Sequence, residues 1–144
     1  MATGQYRKQN LLPSDLDVTV VLSGEALSTS TYADKTADYD CRGFREVDFF
    51  IHIDTTNSMT KVHAAPQAGQ ALDSTAVEYA PYLTETVDLG IATTKPYIVE
   101  LDDPTVADEK VYKVTVPVEG RYVRLALKAT GGAGTVTVYA QRRV

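Results

Sequence analysis

Apolar and polar side chains alternate most regularly in the last third of the chain. Lys110 to Val116 reads Lys-Val-Tyr-Lys-Val-Thr-Val, Gly120 to Leu127 reads Gly-Arg-Tyr-Val-Arg-Leu-Ala-Leu, and Gly134 to Ala140 reads Gly-Thr-Val-Thr-Val-Tyr-Ala. Val123, Leu125 and Leu127 fall on one face of an extended chain, with Arg124 and Ala126 on the other. Val136, Val138 and Ala140 oppose Thr137 and Tyr139 in the same way. Turn residues separate the runs, at Glu119-Gly120 and at Thr130 to Gly134. Alternation at period 2 with such punctuation predicts an antiparallel meander with one buried face.

The first half carries the same signal more sparsely. Asp17 to Leu22 predicts a strand stopped by Ser23-Gly24, and the Ser/Thr-rich stretch from Glu25 to Ala37 predicts a short edge strand. Tyr39 to Cys41 leads to a turn at Arg42-Gly43, then to Glu46–Ile53, where Val47, Phe49, Ile51 and Ile53 share a face. A short strand is expected near Thr60 to Ala64, followed by a loop containing Pro, Gln and Gly. Weaker candidates are Glu78 to Leu83 and Thr86 to Leu89. Pro96 to Leu101 reads as a clear strand, Asp102 to Thr105 as a turn, and Pro104 to Glu109 as room for one helical turn with Asp103 as its cap. No sustained period of 3.6 appears. The fold class is therefore all-β: an antiparallel β-sandwich or jelly-roll-like single domain of at least seven strands, residues 14–144, preceded by an extended N-terminal arm, residues 1–13.

The bulk properties narrow the function. A chain of 144 residues is long enough to bury a core without staples. A formal charge of −5 and a pI near 4.9 argue against nucleic-acid binding. The lone Cys41 excludes an internal disulfide and Cys-x-x-Cys metal sites, and reads as a small buried hydrophobe. No apolar run reaches the roughly 20 residues of a membrane helix, and the first ten residues do not read as a signal peptide. Synthesis in a cytoplasm, without export and without a membrane or nucleic-acid partner, is the expectation.

Chemistry is hard to find in this sequence. His52 and His63 each fall in an expected strand, without the accompanying ligands that a zinc site requires. There is no nucleophile elbow and no phosphate loop. Asp102, Asp103, Asp108 and Glu109 lack the spacing of a calcium loop and read as a solvated turn. No catalytic, metal or cofactor residue is assigned. The chain has no tryptophan and nine tyrosines, of which Tyr79 and Tyr82, on either side of Pro81, are the best candidates for stacking on a sugar or for covering a protein contact. The basic ends of an otherwise acidic chain, Tyr6, Arg7 and Lys8 in the arm and Arg142 and Arg143 at the close, are further candidate partner contacts.

Three segments resemble the small β-sandwich structural proteins of tailed bacteriophage particles, such as head decoration or cement proteins. Leu22 to Leu27 is similar to their early Ser-Gly-x-Ala-Leu segment. Tyr39 to Ile53 resembles their Gly-containing turn and apolar strand. Gly120-Arg121-Tyr122-Val123-Arg124 and Gly134-Thr135-Val136-Thr137-Val138 match their closing strands. The Ser-x-Asp-Gly-x-x-Trp hairpin that such proteins often carry is absent from residues 60–95. The resemblance implies a non-enzymatic virion protein without cofactor that binds the major capsid protein or other virion proteins and stabilises the head. It also implies a homo-oligomer, with a trimer favoured. The alternatives are a carbohydrate-binding β-sandwich module and a tail- or neck-associated virion protein.

Overall fold

The computed structural model of the chain describes residues 18–54, 57–71, 76–102 and 110–144. The N-terminal arm with Tyr6, Arg7 and Lys8, and the expected helical turn after Asp103, lie outside them. Among the described residues twelve strands run in order: β1 (Val18–Ala26), β2 (Asp34–Lys35), β3 (Tyr39–Asp40), β4 (Glu46–Ile53), β5 (Lys61–Gln70), β6 (Glu78–Pro81), β7 (Leu83–Asp88), β8 (Ile91–Pro96), β9 (Val99–Asp102), β10 (Lys110–Pro117), β11 (Tyr122–Thr130) and β12 (Thr135–Arg143). There is no helix among the described residues. All pairings are antiparallel.

One sheet has the order β1-β12-β4-β10. The other has β2-β11-β5-β6, with β3 beside the start of β11 and β9 beside the start of β5. Their inner faces meet in a single core. β4 contributes Val47, Phe49, Ile51 and Ile53, β12 contributes Val136, Val138 and Ala140, and β11 contributes Val123, Leu125 and Leu127, all buried. The alternation along these three strands is thus the inside–outside pattern of a β-sandwich. Tyr39 of β3 spans the two layers, and its hydroxyl donates to the Ala140 carbonyl of β12 at 3.4 Å.

Three boundaries differ from the sequence expectation, each for a local reason. β1 does not stop at Ser23-Gly24 but runs on to Ala26. Register shifts on either side of Leu22 and a left-handed Gly24 (φ 54°) let it bulge along β12, and the Gly24 amide donates to Thr137 Oγ1 at 3.0 Å. β5 does not end before Pro66 but passes through it. The Leu125 backbone bonds Thr36 on its other side, so Leu125 and Pro66 form a pair without ladder bonds between them. The proline nitrogen therefore faces the opposite flank, at the gap where the neighbour of β5 changes from β9 to β6, and its missing N–H is not needed there. The expected strand at Pro96–Leu101 is split into β8 and β9, because the Tyr97 amide bonds the Tyr82 carbonyl at 2.7 Å and closes the root of a separate hairpin. That hairpin, β7–β8, is a two-stranded sheet of its own.

Candidate functional site

Two surface features stand apart from the core. The first is an open cleft of about 650 Å³ on the outer face of the second sheet, lined by Tyr32, His63, Thr84, Lys95, Pro96, Tyr97, Ile98, Glu100 and Lys128. Register builds its floor. Glu100 lies opposite His63, and His63 lies opposite Lys128, so residues far apart in sequence form one cross-strand row. His63 Nε2 is 2.8 Å from Thr130 Oγ1 and Nδ1 is 3.4 Å from Glu100 Oε2. Lys61 Nζ is 3.5 Å from Glu100 Oε1 and 3.7 Å from Asp102. The Lys128 ammonium sits 5.0 Å from the centre of the Tyr32 ring, and burial and then the Glu100 charge hold the Tyr32 hydroxyl above its ordinary pKa.

The connectivity Thr130–His63–Glu100 follows the order of a nucleophile, a base and an orienting acid. Its environment does not. Glu100 is half exposed and shared with Lys61, whereas the acid of a catalytic triad is buried and dedicated to its histidine. The row is a satisfied polar ladder that shapes a cleft offering two tyrosine rings, two lysines and a carboxylate. Among the described residues no group of three or more His, Cys, Asp or Glu side chains is placed to hold a metal ion.

The second feature is the β7–β8 hairpin. Asp88 pairs with Ile91, leaving Leu89 and Gly90 as a two-residue turn, both at positive φ (53° and 79°). That is the geometry of a type I′ turn, which normally takes Asn-Gly or Asp-Gly. Leucine is the unusual choice, and its side chain is 94% exposed. Leu83, Val87 and Ile91 are exposed as well. Thr84 and Lys95, opposite one another, line the cleft, whereas Leu83, Val87 and Ala92 lie on the other face of the ribbon. The face that carries Thr84 and Lys95 also carries Thr86, Asp88, Thr93 and, next to the turn, Ile91, so it is the more polar of the two.

The partner residues expected from sequence are placed as follows. Tyr79 lies on the outer face of β6, half buried. Its ring is stacked by Arg124 at 3.6 Å, its hydroxyl donates to Asp38, and burial followed by that bond raises its pKa. Tyr82 is not a surface ring. It is buried, donates to the Pro117 carbonyl, accepts the Glu119 amide at 3.3 Å, and burial pushes its hydroxyl up to about 12. The expectation that Tyr82 offers a surface ring is therefore corrected, because its ring belongs to the core. Arg142 and Arg143 are not a free basic tail but the last two residues of β12. Arg142 donates to the Asp40 carbonyl at 2.6 Å and lies over the Phe44 ring, while Arg143 pairs with Glu46 and Asp48.

Sequence reasoning missed Tyr32, Tyr97, Glu100, Lys128 and the hairpin tip as candidates. Only the tip had a local signal, the Asp88-Leu89-Gly90 turn between short β-prone runs. No protein-family model, no curated protein and no solved structure matches the chain.

Proposed function

We propose that this chain is a non-enzymatic structural protein of a tailed-bacteriophage particle, a decoration or cement protein that binds the head and stabilises it. The observation that carries the reading is the β7–β8 hairpin. Its apolar side chains face solvent, add nothing to the core, and form the kind of surface that marks a protein contact. The resemblance of Leu22–Leu27, Tyr39–Ile53 and the two closing strands to phage virion proteins, with jelly-roll-like sandwiches, supports the same reading. The partners are the major capsid protein or other virion proteins, the location is the virion, and the working form is a homo-oligomer with a trimer favoured.

Stabilisation arises by linkage. A protein that binds only the assembled shell lowers its free energy by RT ln(1 + [L]/Kd). Purified protein is expected to co-sediment with heads, and particles lacking it are expected to release DNA at a lower temperature. Equal heat stability, with no protein bound to the head, would count against this function.

The cleft beside Tyr32 and Tyr97 favours a second reading, a carbohydrate-binding module. Two rings with nearby ammonium and carboxylate groups offer both a stacking surface and hydrogen bonds to hydroxyls. A glycan array separates the two readings: retained glycans that are lost in Tyr97→Ala support the module.

A further inference from the structure

We propose that the β7–β8 hairpin of one copy docks on the outer face of the β1-β12-β4-β10 sheet of a second copy, head to tail. This deepens the assembly reading above and rests on it only in taking the hairpin as an assembly contact. The hairpin has the sidedness of a segment made for an outside partner. Leu83 and Val87 point away from the sandwich and are exposed, the Leu89 side chain covers the tip, and the polar residues Thr84 and Lys95 line the cleft on the near side. Leu89 occupies a backbone region that disfavours leucine, so an apolar tip is present where Asn or Gly would be the unstrained choice.

The same chain carries a matching seat. Across the outer face of the first sheet the register aligns Val20, Tyr139, Phe50 and Lys113 in one row, flanked by Val18 and Val111 in the rows on either side. Val18, Val20 and Val111 are each more than half exposed (53%, 51% and 60%). Of the carboxylates on this face, Glu46 and Asp48 are held by Arg143 and Asp54 lies past the end of β4 beside His52 and Thr137, so the Lys113 ammonium is the charge within the apolar row itself. On the outward face of the hairpin the one charge is the carboxylate of Glu85, two residues from Val87. Apolar stripe meets apolar row, and one anion meets one cation. The seat lies on the first sheet and the hairpin lies beside the second, so the contact joins different surfaces of two copies and generates a ring if the rotation closes.

The test is sedimentation velocity of the whole chain over a wide concentration range, with circular dichroism as the check on folding. The parent is expected to self-associate. Val87→Asp places a charge in the apolar stripe and is expected to weaken association at least about 30-fold while the melting temperature is unchanged. Glu85→Lys and Lys113→Glu each juxtapose like charges and are expected to weaken association about tenfold, and the double swap is expected to restore it. A parent that stays monomeric, single swaps without effect, or a double swap that fails to recover overturns the contact. Capsid co-sedimentation of the same variants is read separately. Head binding by a monomer overturns the copy-to-copy contact and spares the virion reading, whereas self-association without head binding does the reverse.

Discussion

Arg143 at the end of β12 holds the buried carboxylate of Asp48 on β4, with its Nε 2.9 Å from one carboxylate oxygen and an NH2 donor 3.1 Å from the other. Thr115 on β10 donates to the same carboxylate at 2.7 Å, so three neighbouring strands are joined through one anion. Removing the guanidinium strands a buried charge, which is more costly than never having had the pair. Arg143→Ala is expected to lower the melting temperature by several degrees. Asp48→Ala with Arg143→Ala is expected to cost less than the sum of the two single changes, because loss of Arg143 alone leaves the buried Asp48 carboxylate with only the Thr115 hydroxyl, a penalty the double change avoids. Strict additivity in thermal melts would remove the coupling.

Leu125 tests the core. Its side chain is fully buried on β11, facing the inner side of the β4 and β12 ladder. Leu125→Ala is expected to cost about 2–5 kcal/mol, depending on how far the surroundings collapse. For a chain of this size that corresponds to a loss of roughly 4–20 °C in Tm. A melt indistinguishable from the parent would take Leu125 out of the core.

The strands that build the core were legible because one face of each is dry and the other wet. Val47 to Ile53, Val123 to Leu127 and Val136 to Ala140 alternate for that reason, and their large apolar side chains lie where the pattern puts them, whereas Asp48 and Ala126 on the outer faces are covered as well. β8 was not legible, since Ile91-Ala92-Thr93-Thr94-Lys95-Pro96 is exposed on both faces and so has nothing to alternate against. Tyr79 and Tyr82 looked equivalent as a pair around Pro81. An odd separation along an extended chain places them on opposite faces, one over the sheet and one in the core. The cleft was invisible because Tyr32, His63, Glu100 and Lys128 meet only through strand register, which no local pattern records. Arg142 and Arg143 read as a charged tail because the pattern of apolar residues ends before them, although β12 continues to Arg143.

The hairpin turn makes a separate prediction about stability. Leu89 at φ 53° carries the steric penalty of a left-handed leucine, and asparagine tolerates that region far better. Since Leu89 touches almost nothing in the single copy, Leu89→Asn is expected to raise stability by about 1 kcal/mol when measured at concentrations where the chain is monomeric. A lower denaturant midpoint would show that the turn is not strained.

Alkaline pH should weaken the fold before acid chemistry of any surface pair matters. Burial pushes the Cys41 thiol from its ordinary 9.0 up to about 12, and pushes the Tyr82 hydroxyl from 10.0 up to about 12. Both groups are acids whose folded pKa is raised, so the unfolded chain releases their protons first as pH rises. Their contribution is complete below the ordinary values and is lost progressively from about pH 9 toward pH 12. Asp40 acts in the opposite direction. The hydrogen bond from Arg121 holds its carboxyl below the ordinary value of 3.8, so its contribution is lost only as pH falls below that range. Urea midpoints are therefore expected to be level near neutrality and to fall steadily above about pH 9. Cys41→Ala is expected to start lower, because it leaves a small void, but to fall less steeply with pH. The same burial makes the thiol unreactive toward a disulfide reagent in the folded state, with labelling appearing only in step with unfolding. Rapid labelling under native conditions, or a midpoint that is flat to pH 11, would mean that Cys41 and Tyr82 are open to solvent and do not lie in the core.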